Sequence, residues 1–411
     1  MEKALAWNKQ VPSLMCLKAD DDITNCEALR CSEADEKVSA EEALGENLGA
    51  MRKRERQKKK EQRALFSASI TDMLARRTTM TEAEKKLLHA RHMYEWDAMI
   101  AKEEKSKLEI GDDYESWRAS RFFAGWSGID GSFEDITKLP PMRFTDEPAR
   151  PYEAAPLDAL QIFSVKVAGI RGGLKWPLDV FGLVAVRDIV DKKRNVIFNR
   201  TRDSCQTLTK KDPYLALTGP TRAVVWLDPV TIEVKLTVKG TTESNDKDLS
   251  FLAVPLACSQ KLHSYSFITN HTSRLSTLDF TLGHIVDSVE ATIFVQVTAG
   301  SWPDGFCGQF AALTIGTCAG SIDHEEIILL DSGGEKMPAS EDGQIMLSRR
   351  VVSVEIRAKL KFRLKAWQDD NCVVKEKVFS PLQDGRTDGM LRLGGCAMKV
   401  TVAWSLLSWS V

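Results

Sequence analysis

No Cys-x-x-Cys pair occurs among the nine cysteines of this 411-residue chain, and their spacing is irregular: Cys16, Cys26, Cys31, Cys205, Cys258, Cys307, Cys318, Cys372 and Cys396. That excludes a small disulfide scaffold and points to reduced thiols. No stretch approaches the roughly 18 uncharged apolar residues of a membrane-spanning helix. The first 22 residues hold no apolar run long enough for a signal-peptide core, so a cytoplasmic protein is expected. Net charge is only −2, so no global field favours nucleic acid or membrane, and any such binding must be local. Gly-x-Ser-x-Gly, His-Glu-x-x-His and the phosphate-binding loop are all absent, which removes a nucleophile elbow, a zinc protease and a nucleotide-hydrolysing site from consideration. No cofactor is expected. Asn199 and Asn270 open glycosylation sequons, inert in a cytoplasmic chain.

What is present falls into five segments. Residues 1–50 form an acidic tail poor in large apolar residues, expected to be disordered. Residues 51–110 begin with a basic run, Arg52 to Arg63 (RKRERQKKKEQR). It reads first as a solvated helix face, and otherwise as a nuclear-import or nucleic-acid patch. An amphipathic helix follows from Thr79 to Ile110, with Thr81 and Glu84 spaced as a capping box. His89 and His92 lie one turn apart on it, but no nearby ligand completes a metal site. Residues 111–158 are a tether rich in aromatics (Trp117, Phe122, Phe123, Trp126, Phe133, Phe144) and punctuated by Pro140, Pro141, Pro148, Pro151 and Pro156. Such aromatics need burial, so the tether is expected to lie across a folded domain.

From Leu160 onward the apolar period is two. Val230 to Val238 alternate with Thr231, Glu233, Lys235, Thr237 and Lys239; Val354 to Ala366 alternate with Glu355, Arg357, Lys359, Lys361, Arg363 and Lys365. Each run buries one face, the pattern of antiparallel sheets. The series repeats. FSVKVAG from Phe163 parallels IFVQVTAG from Ile293, each followed by a Trp-Pro loop (Trp176-Pro177, Trp302-Pro303). FGLVAV from Phe181 parallels GQFAALTI from Gly308, and NVIFNRTRD from Asn195 parallels EIILLDSG from Glu326. The segment from Leu217 parallels that from Leu347, and the segment from Leu278 that from Met390. The expected fold is therefore mainly β: an antiparallel β-sandwich built from two related units, 159–290 and 291–411. The units either meet at the strand near 291–298 or close one larger sandwich.

WPLDVFGLVAVRD, RNVIFNRTRDSCQTL, YLALTGPTRAVV, SIDHEEIILLDSG and LSRRVVSVEI together resemble the plant domain-of-unknown-function 6598 family, found mainly in grasses. The resemblance runs from about Leu160 to Trp404. It implies little about activity. Some relatives join this domain to a ribosome-inactivating rRNA N-glycosidase, which implies a setting in plant stress or defence.

Against that association, Glu115 and Arg118 have the toxin's Glu-x-x-Arg spacing but not its apolar context, and the region ahead of the β units is too small to bury such a site. His284, His324, Cys205 and Asp331 are scattered candidates for convergence in space. Asp188 and Asp191 flank a turn, with Asp179, Asp228, Asp246 and Asp248 in other loops; calcium would need several of them at one end, while ordinary turn chemistry needs none. The most informative feature is a cationic row: Arg357, Lys359, Lys361, Arg363 and Lys365 on one strand face, about 27 Å long at strand spacing. Such a row suits RNA or acidic lipid, or is balanced by neighbours such as Glu325, Glu326 and Glu376. The first expectation is a non-catalytic binding or structural module. The alternatives are an RNA-binding accessory or degenerate relative of the ribosome-inactivating proteins, and an enzyme with a site between the two β units.

Overall fold

The computed structural model describes residues 101–111, 114–126 and 131–411 apart from 228, 258–262, 318–321, 334–336 and 370, with isolated positions between 53 and 81. The acidic tail, the His89–His92 pair and most of the expected amphipathic helix lie outside the described residues. Residues 1–66 cluster apart from the rest of the chain, and only a few of them are described. Among these, Lys53, Arg54, Gln57, Glu61 and Leu65 are helical and exposed, and Gln57 donates to Glu61 one turn on.

A helix occupies 101–110 and ends at Gly111, whose φ of 73° only glycine adopts without strain. Helix α1 (Tyr114–Ala124) follows. No separate signal marks it within the tether beyond a run free of proline and glycine. Seventeen described strands come next. The first unit holds β1 (Leu157–Ile170), β2 (Leu178–Arg187), β3 (Asn195–Arg200), β4 (Gln206–Leu208), β5 (Val224–Val225), β6 (Val230–Val238), β7 (Lys247–Leu256) and β8 (Tyr265–Ser273). The 24-residue β9 (Ser276–Ala299) links it to the second, made of β10 (Cys307–Ile315), β11 (Ile327–Asp331), β12 (Gln344–Ile345), β13 (Val351–Glu355), β14 (Lys359–Gln368), β15 (Asn371–Phe379), β16 (Arg386–Leu393) and β17 (Cys396–Ser405).

The duplication is written in the pairing. One outer sheet runs β3-β2-β6-β7 and the other β11-β10-β14-β15. Opposite them lies a continuous sheet threaded by β9: its first half pairs with β8 and β1, its second with β17 and β13. Registers correspond residue by residue. Val165 faces Phe280 as Val295 faces Val400, and Ala185 faces Glu233 as Ala311 faces Arg363. Even the bulge recurs, after Val184 in β2 and after Phe310 in β10. Met390, which sequence similarity set against Leu278, lies one strand early on β16; the equivalent of Leu278 is Met398.

Each unit has its own core. One gathers Val180, Ile197, Phe198, Ile232, Leu236 and Phe280; the other gathers Phe310, Leu329, Phe362, Leu364, Val400 and Trp404. The two cores make these two sandwiches that share β9 rather than one larger sandwich. The chain changes sandwich at a bulge in β9, where Asp287 takes φ 44°, a conformation that Asp tolerates better than most residues.

Candidate functional site

A turn breaks the expected cationic row, and carboxylates neutralise most of it. The alternation from Val354 to Ala366 is two strands, not one. Residues 356–358 form a turn between β13 and β14, closed by the Ile356 amide on Asp287 O and the Ala358 amide on Glu355 O. Arg357 therefore stands off the strand and donates to Asp287 Oδ2 at 2.9 Å. Lys359, Lys361, Arg363 and Lys365 do share the outer face of β14. Lys361 Nζ lies 3.4 Å from Glu376 Oε2, and Arg363 Nε lies 2.8 Å from Glu376 Oε1. Arg363 also pairs with Glu326. The hydrogen bond from Arg363 holds the Glu376 carboxyl below its usual range and raises the pKa of Arg363 in return. Lys359 donates to Ser380 Oγ at 2.8 Å, and Lys365 sits 5.7 Å over the Trp367 ring. Among the described residues, neither has a carboxylate partner.

The equivalent face of the first unit is built with the signs exchanged. Glu233 on β6 takes the place of Arg363, and Arg194, one residue ahead of β3, takes the place of Glu326. Glu233 is fully buried and accepts from Arg194 and, at 2.9–3.0 Å, from Arg187. The tether lies over this pair. The Phe133 ring stacks on Arg187 at 4.2 Å and Arg194 at 5.0 Å, Trp126 covers Arg187 at 4.7 Å, and Glu134 pairs with Arg194. Burial lowers the Arg187 pKa, and Glu233 only partly offsets that. Helix α1 continues the cover, with Phe123 stacked on Phe251 of β7 at 4.9 Å.

Asp188 and Asp191 do come together, but around a guanidinium rather than calcium. Arg222 forms a fork on Asp188 at 2.6 and 2.8 Å and reaches Asp191 at 3.1 Å; Thr137 of the tether donates to Asp191 at 2.6 Å. Burial opposes the Arg222 charge, yet the two carboxylates outweigh it and raise its pKa. Asp179 and Asp246 serve Thr207 and Arg202 elsewhere. No group of three metal-ligating side chains forms among the described residues. Glu290, at the sandwich junction, accepts the amides of Met142 at 2.6 Å and Ala223 at 2.7 Å, and burial raises its pKa. Beside it, a cavity of about 20 Å³ bounded by Arg143, Arg222 and Ser405 has room for one water.

The remaining candidates disperse. His284 is fully buried and bonds Asp158 at 3.1 Å, whereas His324 is exposed beside Glu325. Cys205 lies just ahead of β4 in the first unit and Asp331 ends β11 in the second, bonded to Gln309. Glu115 and Arg118 are bonded to each other at 2.5 Å, and Glu115 reaches His271 Nδ1 of β8 at 3.1 Å. The pair clamps α1 to the sheet edge. Burial pushes the Glu115 carboxyl up, but His271 and Arg118 outweigh it and its pKa is lowered.

The loops at one end of the second sandwich form a cleft of about 650 Å³ that was not proposed from sequence. Val297, Trp302, Pro303 and Phe306 come from one stretch of its lining and Met337 and Ala339 from the other; Asp304 and Ser301 also border it. Trp302 Nε1 donates to Phe306 O at 2.8 Å, which fixes the ring. Gly308 makes the fold-over possible: a Cβ there would lie 2.4 Å from Met337 and 2.6 Å from Trp302. The Trp-Pro loop was visible as a repeat marker, but the opposing loop carries no motif.

Two sandwiches sharing one long strand, with one outer face covered by a tether and the other uncovered among the described residues, define a duplicated antiparallel β-sandwich protein. The family model described as "Domain of unknown function (DUF6598)" matches residues 159–402, and the chain belongs to that family. No curated protein matches the chain. Two solved structures of human GIVD cytosolic phospholipase A2 are similar over part of it. The complex with methyl gamma-linolenyl fluorophosphonate is 10% identical, with TM-score 0.21, covering 61% of this chain and 33% of that one. The complex with that inhibitor and terbium chloride is 8% identical, with TM-score 0.20, covering 62% and 33%. The match spans about a third of the phospholipase, and at such scores it carries no argument about this protein.

Proposed function

We propose that the protein is a non-catalytic binding module whose working surfaces lie on the second sandwich. The observation that carries this reading is the aromatic cleft at Trp302, Phe306 and Met337, whose volume of about 650 Å³ falls in the range of small-ligand sites. Its side chains offer apolar contact with few polar groups, a lining suited to holding a ligand rather than transforming it. The paired acids and bases, Glu115 with His271 and Asp158 with His284, are buried elsewhere and occupied with each other. A cytoplasmic or nuclear location and a role in plant stress or defence are part of the proposal; the first is supported by the unpaired thiols of Cys205, Cys307, Cys372 and Cys396, the second by the family resemblance. Screening a fragment library by ligand-observed NMR should find binders that Trp302→Ala abolishes. If every binder survives that substitution, the cleft is not the site.

The RNA-binding alternative has less to draw on. Only Lys359 and Lys365 of the row lack a carboxylate partner among the described residues, so its salt dependence should be shallow, with at most about two counterions released. The enzyme alternative draws little support from the sandwich junction, where the carboxylate lining the small cavity, Glu290, is already occupied by two backbone amides.

A further inference from the structure

We infer that the outer face of the second sandwich, on β14 and β15, docks an acidic, aromatic-bearing polypeptide segment of a partner protein. The duplication supplies the argument. In the first sandwich the corresponding face is covered from within the chain, by Phe123 on Phe251 and by Phe133 and Glu134 on Arg187 and Arg194. Register places Val374 at the position of Phe251, since Phe251 faces Lys235 and Val374 faces Lys365, while Val378 takes the position of Pro255. Val374 and Val378 are 50% and 47% exposed, large apolar side chains on an open sheet face. Around them stand Lys359, Lys361, Arg363 and Lys365.

The charges choose the occupant. Lys359 and Lys365 are exposed, so carboxylates could reach them, while an aromatic ring fits the Val374–Val378 patch as Phe123 fits Phe251. A nucleic acid or an anionic membrane would bring phosphates against Glu376 and Glu326, which sit between the cations and would repel them. A polypeptide can place its acids beside the lysines and keep them away from the glutamates.

The test uses the full chain and a fluorescent peptide copying residues 122–135 (FFAGWSGIDGSFED), which carries Phe123 together with three acids. Saturable binding at low salt is expected. It should weaken at least about tenfold, a loss of about 1.4 kcal/mol, in Lys359→Glu with Lys365→Glu, and separately in Val374→Asp. Lys235→Glu with Lys239→Glu should leave it unchanged. These positions are exposed or half-exposed, so the variants should fold, which circular dichroism checks. The proposal is overturned if the peptide does not bind saturably, or binds both sets of variants alike. It is equally overturned if a 12-nucleotide RNA or phosphatidylserine vesicles show the Val374- and Lys365-dependent binding in its place, or if Val374→Asp abolishes self-association of the chain.

Discussion

The two sandwiches share strand order and register apart from β4, which pairs with β2 and has no counterpart in the other outer sheet among the described residues, yet one outer face is closed by the tether and nothing among the described residues covers the other. At the centre of the first, Glu233 is sealed beneath Arg187, Arg194 and the tether's Phe133. At the same place in the second, Arg363 and Glu326 face solvent with their charges exchanged, each about a third exposed. The cross-strand pair is thus kept while its polarity and environment differ. A buried ion pair is held by geometry and loses heavily if one partner goes; an exposed one is screened and worth little. The same topological position therefore serves as an anchor in one unit and leaves a face free for binding in the other.

The largest break should come from the buried anchor. Glu233→Gln leaves the buried Arg187 without a carboxylate partner and Arg194 with Glu134 alone, and should cost about 3–5 kcal/mol in urea unfolding, whereas Arg363→Gln should cost under about 1 kcal/mol. Glu233→Arg combined with Arg194→Glu copies the second unit's polarity and should recover part of the loss from Glu233→Arg alone. Equal costs for Glu233→Gln and Arg363→Gln would remove the distinction between the faces. Arg222→Met strands Asp188 and Asp191 and should again cost about 3–5 kcal/mol. Phe133→Ala should cost about 1–2 kcal/mol, since one ring covers two guanidiniums; limited proteolysis should then cut the tether while both sandwiches persist.

The pH dependence distinguishes two carboxylates. Glu115 is held below its usual value of 4.5, so its contribution is complete above that value and disappears as pH falls through the lower folded pKa. Glu290 is raised, so its ionisation opposes folding as pH climbs past the unfolded value. Acid should loosen α1 before the sandwich junction, which hydrogen exchange in the α1 amides would detect; the reverse order would contradict the assignment. The smallest effect is on the open face. Lys359→Glu with Lys365→Glu should change stability by no more than about 0.5 kcal/mol.

Much of this was legible from residue pattern. Period-two alternation gave the antiparallel sheets, because a half-buried strand must alternate. The repeated Trp-Pro loops and apolar series gave the duplication. The turn at 356–358 was not legible: the first unit marks its β5–β6 break with Pro229, whereas Ile356, Arg357 and Ala358 hold neither proline nor glycine and keep the alternation going. The cleft was missed because its two walls, 297–306 and 337–343, are distant in sequence and only one carries an aromatic signal.

The sequence by itself determined the class of fold, since apolar periodicity reports burial strand by strand without reference to partners. It also marked the tether's aromatics as needing cover. Only the tertiary structure decided where charges count. Asp188 and Asp191 could equally have met a metal, and Glu233 could equally have been a solvated strand residue. Which of them is buried, and against which arginine, depends on strands and loops separated by tens of residues. Electrostatic worth depends on that burial and not on the side chain alone.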